Sequence, residues 1–497
     1  MAVAAQTIES ARVLAPLVIT FLAPFALWLL RKNQDLREGV SFVAAAMAFA
    51  SVISMVPAVL HGAVWTYHLV TFFPGVSITF AVDGLSCIFA IVATFLWFFA
   101  TSYNIGYMRS LKEHAQTRYY FCFAVAIFGA VGVAFSGTVV TLYLFYEVIT
   151  VFTYPLVAHH QDAEGYHGAR KYLVYLMGTS KLFLLPAMIL TYVQCGTLDF
   201  NLADISHGMF PPGADPTLVR ITYFLFLFGL AKAAIMPLHN WLPSAMVAPT
   251  PVSALLHAVA VVKAGVFSVS RIMLSCFGVD LLSNLGLGLI TAYLAAFTIV
   301  VASIIALTKD DLKARLAYST VSQLSYIIIG VAMLSPLAVK GGLLHIAHHA
   351  FAKITLFFAA GAIYVATHLK KIPLMDGLGR KLPFTFGAFA VASLSMIGVP
   401  PVCGFVTKWY LANGAISIHQ YILLLALLAS TLLNAGYFVP VIYRAFFRPP
   451  VPEVDHSHFK EAPLVMVVPL CLTAFISVAL GLYPQIFASF VDAFGKF

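Results

Sequence analysis

Residues 345–353 read HIAHHAFAK, three histidines and a lysine inside a strongly apolar stretch. His345, His349 and Lys353 are spaced i, i+4, i+8, which on a helix stacks them along one face, while His348 points about 60° away. Histidine exchanges protons near neutral pH. A lysine moved into a low-dielectric interior has its charged form disfavoured, so it too can release and regain a proton. The row therefore has the chemistry of a proton relay. Two other readings compete with it. The histidines could be satisfied core residues, or His345 and His349 could ligate a metal or haem. Against ligation, the chain has no HExxH, no clustered carboxylates and no second histidine pair on another apolar run beyond the single His257.

Four further lysines share this setting, Lys181, Lys232, Lys263 and Lys408, together with one deeply placed acid, Glu147. A charge at the centre of a membrane helix costs roughly 2.5–3.5 kcal/mol on insertion scales. Six such groups carry a combined cost that argues for use. Lys353 lies thirteen residues after Lys340 and seventeen before Lys370, roughly 20 Å from either end of a helix. Its stem is too short to reach the interface. Lys181 is only ten residues from Lys171, and snorkelling explains it as well as function does.

The elements that must carry these groups follow from composition. Hydrophobic residues make up 61% of the 497 and charged residues 9%, against about 25% charged in a soluble domain. Mean hydropathy is +0.95. Apolar runs of membrane-crossing length are expected at 12–30, 41–60, 78–104, 119–136, 138–158, 171–194, 219–238, 249–272, 282–307, 313–334, 340–367, 383–411, 419–444 and 464–490. The expected fold is an all-α polytopic membrane protein of about fourteen transmembrane helices. No basic n-region or cleavage site precedes the first span, which is expected to remain in the mature protein.

Net charge is +9, but the basic residues concentrate on alternate loops. Arg31, Arg109, Arg118, Arg170, Lys309, Lys370, Arg380 and Arg444 lie on one side, whereas the other holds only Arg12, Arg220, Arg271, Lys340 and Lys496. The positive-inside rule then predicts both termini outside. Topology accounts for the basic balance, and no nucleic-acid partner is expected.

Two runs are interrupted by prolines: GLAKAAIMPLHNWLPSAM around Lys232 and SMIGVPPVCGFVTKWYL around Lys408. Each is fourth in a set of five spans, 119–272 and 282–444. Paired broken helices mark an internal repeat and an ion path, and an odd span count per unit makes the repeats inverted. A three-helix segment, 1–118, precedes them and 445–497 follows with the last helix. The six cysteines show no CxxC spacing, and no P-loop or glycine fingerprint is present. No cofactor and no metal site is expected, so a proton path must be driven from outside the chain.

The segments KAAIMPLHNWLPSAMVAPTPVSALLHAVAVVKAG, LKARLAYSTVSQLSYIIIG, HIAHHAFAKITLFFAAG and MIGVPPVCGFVTKW resemble the signatures of the antiporter-like subunits shared by respiratory complex I, multisubunit cation/proton antiporters and membrane-bound hydrogenases. The resemblance covers nearly the whole chain, with the four segments in the family's order. It implies fourteen helices with inverted five-helix repeats and a hydrated polar axis. Carried over by motif, the relay is Glu147, Lys232, Lys263, His345, His349, Lys353 and Lys408, with Glu147 the acid paired to Lys232. Position 408 is lysine where some members have glutamate, and Lys181 matches no motif. The final span is expected to end near Gln485, without the long lateral helix of the most distal complex I subunit.

The implied partners are other membrane subunits of a complex I-like, antiporter or hydrogenase-type assembly, with a bacterial cytoplasmic membrane as the setting. The chain would serve an ion-translocating oxidoreductase without holding a redox centre. Alternative expectations are a sodium/proton antiporter subunit and the energised membrane subunit of an inorganic-carbon uptake complex; a haem-carrying membrane cytochrome is the class an absorption spectrum would exclude.

Overall fold

The computed structural model describes residues 6–494. Eleven of its helices are long and apolar enough to cross a membrane, among them Gly84–Ser110, Val139–Val157, Ala163–Cys195, Thr250–Phe277 and Pro336–Thr367. The other three expected spans are also helical but differ in kind. Pro216–Gly229 and Pro383–Ile397 are short because each stops at a break, and Leu312–Ala332 is full-length but carries charges and a row of Ser, Thr and Gln. The all-helical polytopic class expected from hydropathy is the fold observed.

Several boundaries differ from expectation. The third span does not begin at residue 78. Instead β1 (Thr7–Glu9), β2 (Val64–Phe73) and β3 (Val76–Val82) form a small sheet in the order β1-β2-β3, parallel then antiparallel. Hydropathy took VSITFAV for the start of a helix, although its β-branched and aromatic residues are strand formers. The helix begins at Gly84, where the Asp83 carboxylate caps the Ser86 N–H at 2.9 Å. The last span ends at Leu482, and Gln485–Phe494 is a separate short helix.

Two helices lie innermost. Thr250–Phe277 is enclosed along its whole length, and Pro336–Thr367 is buried over most of its 32 residues. Outer helices turn Leu182, Val193, Leu432, Leu464 and Phe475 outwards, as lipid contact requires. The central helix Pro336–Thr367 packs on Leu312–Ala332, Pro383–Ile397, Cys403–Ser417 and Leu464–Leu482.

Both breaks are backbone-tight. After Gly229 the chain forms one 3-10 turn over Ala231–Ala233, with Ala234 at φ +55° and a cis Met236–Pro237 bond. After Ile397, Gly398 adopts φ +90°, which favours glycine, and a cis Pro400–Pro401 bond precedes Cys403–Ser417. The freed backbone groups find partners, as membrane depth demands. Trp241 Nε1 donates to Ala231 O at 3.0 Å, and the Met236 N–H donates to Thr298 Oγ1 at 3.3 Å. At the second break the Gly404 N–H donates to Ser395 Oγ at 3.1 Å.

Each break is approached by a glycine. A Cβ on Gly265 would stand 2.3 Å from the Ala233 nitrogen and Lys232 carbonyl carbon, and one on Gly404 would stand 1.8 Å from Ser395 O. Neither neighbour is a side chain able to swing away. Gly265→Ala and Gly404→Ala are therefore expected to destabilise the protein by about 1–3 kcal/mol each, while Gly178→Ala, where nothing lies within 4 Å, is expected to be neutral. Thermal unfolding of the three purified variants in detergent checks this ordering.

Candidate functional site

Of the sequence-predicted residues, Lys263 lies on Thr250–Phe277 and His345, His349 and Lys353 on Pro336–Thr367, the two innermost helices. Lys232, Lys263, His349 and Lys353 have no solvent exposure, and His345 is also buried. Lys263 Nζ lies 2.7 Å from His349 Nδ1. The His349 and His345 rings are 5.7 Å apart, one turn along the same helix. His345 is held at both nitrogens, by Thr407 Oγ1 at 2.9 Å and Gln323 Oε1 at 3.0 Å. His348, on another face, places Nδ1 2.9 Å from Cys403 O and takes no part in the row.

Lys353 donates to Ser319 Oγ at 2.9 Å. From there a thread of side chains leads towards the second break. Tyr437 OH lies 3.1 Å from Ser319 Oγ and 2.6 Å from Asn434 Oδ1, and Asn434 Nδ2 donates to Met396 O at 3.1 Å. Lys408 ends the thread. Its half-buried ammonium donates to Met396 O at 3.0 Å, Ile397 O at 2.8 Å and Thr431 Oγ1 at 3.2 Å. These carbonyls close the helix Pro383–Ile397, where unpaired C=O groups and the negative end of the helix dipole favour a cation.

Lys232 sits inside the first break. Its Nζ donates to Tyr146 O at 2.6 Å and lies 3.1 Å from the Tyr146 ring centroid, and its backbone N–H donates to Tyr146 OH at 3.1 Å. The expected ion pair with Glu147 is not formed. Glu147 Oε2 faces Lys181 Nζ at 3.6 Å, and Lys181 also donates to Tyr143 OH at 2.6 Å. The reason is rotational. Tyr146 faces inward and is fully buried, whereas the next residue, Glu147, is turned about 100° towards Ala163–Cys195. Lys181 lies there in a π-helical turn, Ser180–Leu184, with 47% of its side chain exposed.

A second correction concerns Arg271, counted from sequence among loop residues. It lies in the helix Thr250–Phe277, 1% exposed, and forms a bidentate pair with the buried Asp83 at 2.5 and 2.8 Å. Glu147 is therefore not the sole enclosed carboxylate. Asp83, however, is committed to arginine at the sheet end of the helices.

Sequence reasoning missed Ser319, Gln323, Tyr437, Asn434 and Tyr146. The hydroxyl and amide run YSTVSQLSY between residues 318 and 326 was the available signal for the first two. At the Lys/Arg-rich end a cavity of about 740 Å³ is lined in part by Glu113, His160, Asp162, Asp311, Lys313 and Lys370. Burial would raise the Glu113 pKa, but the neighbouring His159, His160 and His114 outweigh it and hold the carboxyl below its usual range.

Long enclosed helices, two tight breaks and a buried line of basic groups without facing carboxylates define a class: a polytopic membrane subunit with an internal polar axis. The chain belongs to the NADH:quinone oxidoreductase/Mrp antiporter transmembrane family, whose model matches residues 136–434. Residues 74–120 match the family described as the N-terminus of NADH-ubiquinone oxidoreductase (complex I) chain 5. The chain is 31% identical to NADH-quinone oxidoreductase subunit N of Desulforudis audaxviator, over 95% of this chain and 96% of that protein. It is also 31% identical to a component of a probable K(+)/H(+) antiporter of Rhizobium meliloti over 94% of this chain, but spans only 47% of that longer protein. Two solved structures share the fold. One is the Mrp complex from Dietzia sp. (TM-score 0.86, 21% identity, 97% of both chains), and the other a membrane-bound sulfane sulfur reductase described as an archaeal respiratory membrane complex (TM-score 0.84, 24% identity, 97% and 96%).

Breaking a buried pair strands the remaining charge and commonly costs about 3–5 kcal/mol. Asp83→Asn and Arg271→Met are each expected to destabilise the protein by this order, and the double variant by less than their sum. Thermal unfolding in detergent reads all three.

Proposed function

We propose that this chain is a proton-translocating, antiporter-like subunit of a multisubunit membrane complex. Its path runs through Lys232, Lys263, His349, His345, Lys353 and Lys408, and partner subunits supply the drive. The observation that carries the reading is the 2.7 Å contact between Lys263 Nζ and His349 Nδ1. Two basic nitrogens can share a hydrogen bond only if one presents a lone pair, so the contact holds one transferable proton.

The hydroxyls of Ser319 and Tyr437 carry hydrogen bonding from Lys353 towards Lys408. Asn434 and Lys408 both donate to Met396 O, so the last step of the proposed route would need water rather than that carbonyl. The distribution of Lys and Arg supports uptake at the 740 Å³ cavity, taken as the cytoplasmic end, with both termini on the other side. Breaks at Lys232 and before Lys408 support two inverted five-helix units, residues 119–272 and 282–444. Moving a charge across 100 mV costs about 2.3 kcal/mol, so the path needs a drive from outside it. The drive would come from an oxidoreductase of NADH/quinone or hydrogenase type, or from a second ion gradient.

Glu147 takes a changed role in this scheme. It neighbours Tyr146, whose carbonyl and ring hold Lys232, while its own charge faces Lys181. Glu147 would act on Lys232 at one remove, and Lys181 joins the control elements. The likeness to the Rhizobium antiporter component favours a second reading, cation/proton exchange. The ladder itself holds nitrogen bases and neutral oxygens, however, and a bare alkali cation prefers charged or multiple oxygen ligands.

Lys263→Met and His349→Ala, in the assembled complex in membrane vesicles, are expected to slow proton movement by about 10²-fold while assembly persists. His348→Ala should retain most of it. Undiminished pumping in the first two would overturn the path. A Glu147→Gln, Lys181→Met cycle is expected to be non-additive in pumping rate, and additive losses would remove Lys181 from the control pair.

A further inference from the structure

The loop between Gly84–Ser110 and Gln116–Ala134 brings Glu113 and His114 beside His159 and His160, which follow the helix Val139–Val157. Donor atoms of Glu113, His114 and His159 all lie within 4.8 Å of one another. Glu113 Oε2 is 3.5 Å from His159 Nε2 and 3.8 Å from His160 Nδ1. The His114 and His159 rings are 4.8 Å apart. None of these residues belongs to the ladder, and sequence spacing gave no sign of them as a group.

His159 has no solvent exposure, and neither of its ring nitrogens has a hydrogen-bond partner. Burying an imidazole with both nitrogens unmatched is costly. A ligand atom placed between His159 and Glu113 gives Nε2 the partner it lacks. We infer that Glu113, His114 and His159, with His160 as a further donor, form a binding site for a zinc-class divalent cation on the wall of the cavity at the Lys/Arg-rich end.

The donor chemistry selects the ion. Imidazole nitrogens with one carboxylate suit zinc and its neighbours, whereas magnesium and calcium take mainly oxygens. Bonds of about 2.0–2.1 Å in a tetrahedron put donors about 3.4 Å apart. The Glu113–His159 separation already matches, and exposed His114 needs only a side-chain rotation to join. Arg118 donates to the His159 backbone carbonyl at 3.0 Å and forms no ion pair with Glu113. Glu113 and His160 also line the cavity, which gives an ion its route in. A bound ion would tie two loops together at the mouth through which the proposed path opens, so the site would be a staple for the entrance.

Zinc titration of the full chain, purified in detergent and stripped with chelator, tests the site by calorimetry and by the shift in thermal midpoint. A single site is expected, with magnesium giving no shift at the same concentration. His159→Gln and Glu113→Gln should each weaken binding by about 100-fold. His114→Gln changes an exposed residue and keeps the test open if His159→Gln fails to fold. His207→Gln, in the distant pair with Asp204, should leave affinity intact. Cobalt substitution should give the intense visible bands of a four-coordinate nitrogen and oxygen site. No zinc binding, or binding that His114→Gln and Glu113→Gln leave unchanged, overturns the assignment.

Discussion

An ammonium group held where water is scarce must find lone pairs in the protein, and the architecture is organised around that requirement. A continuous helix has few to give, because its carbonyls are already bonded along the chain. Interrupting the helix Pro383–Ile397 releases its last carbonyls, and Lys408 takes two of them. Gly398 makes this possible twice over. Its φ of +90° ends the helix, and its missing Cβ leaves room for the Lys408 stem, whose Cδ lies 2.6 Å from where that atom would be.

The first break solves the same problem by another route. Trp241 has already claimed Ala231 O, so Lys232 reaches across to the Tyr146 carbonyl and lays its charge on the Tyr146 ring. A cation on an aromatic face is worth about 2 kcal/mol when desolvated. Lys408 thus rests on the carbonyl end of its own broken span, whereas Lys232 depends on a neighbouring helix. Sequence resemblance between the two breaks hides this difference, because it resides in a tryptophan ten residues from Ala231 and a tyrosine beside the acid.

Charge and hydropathy made the helices and the charged members of the site legible. A lysine in an apolar run is anomalous wherever it falls, so Lys232, Lys263, Lys353 and Lys408 announce themselves, and i, i+4 spacing aligns His345 with His349. Ser319, Asn434 and Tyr437 are ordinary in a membrane helix, and nothing marks them until packing brings them together. The Glu147 error is of another type: sequence places an acid in a span but not its azimuth, and one residue of rotation separates Lys232 from Lys181. Arg271 was misread because hydropathy ends a span at a charge, whereas Asp83 lets the helix run through it. Strand β3 was lost since a short apolar run carries no period long enough to separate strand from helix.

Close glycine contacts also link the two breaks through the innermost helices. Gly265 lies two residues beyond Lys263 on the same helix and is pressed against the Lys232–Ala233 backbone. The neighbour at this contact is main chain, which a rotamer change cannot move aside, so a shift of the first break would press on the segment carrying Lys263. The contact at the other side of Lys263, with His349, sits on the central helix, whose Gly341 is pressed in turn against Thr407 and Leu411 of the second broken span. Hydrogen bonding falls away steeply beyond about 3.2 Å. In the proposed path, a displacement of less than about 1 Å from the 2.7 Å contact between Lys263 and His349 would be enough to break it.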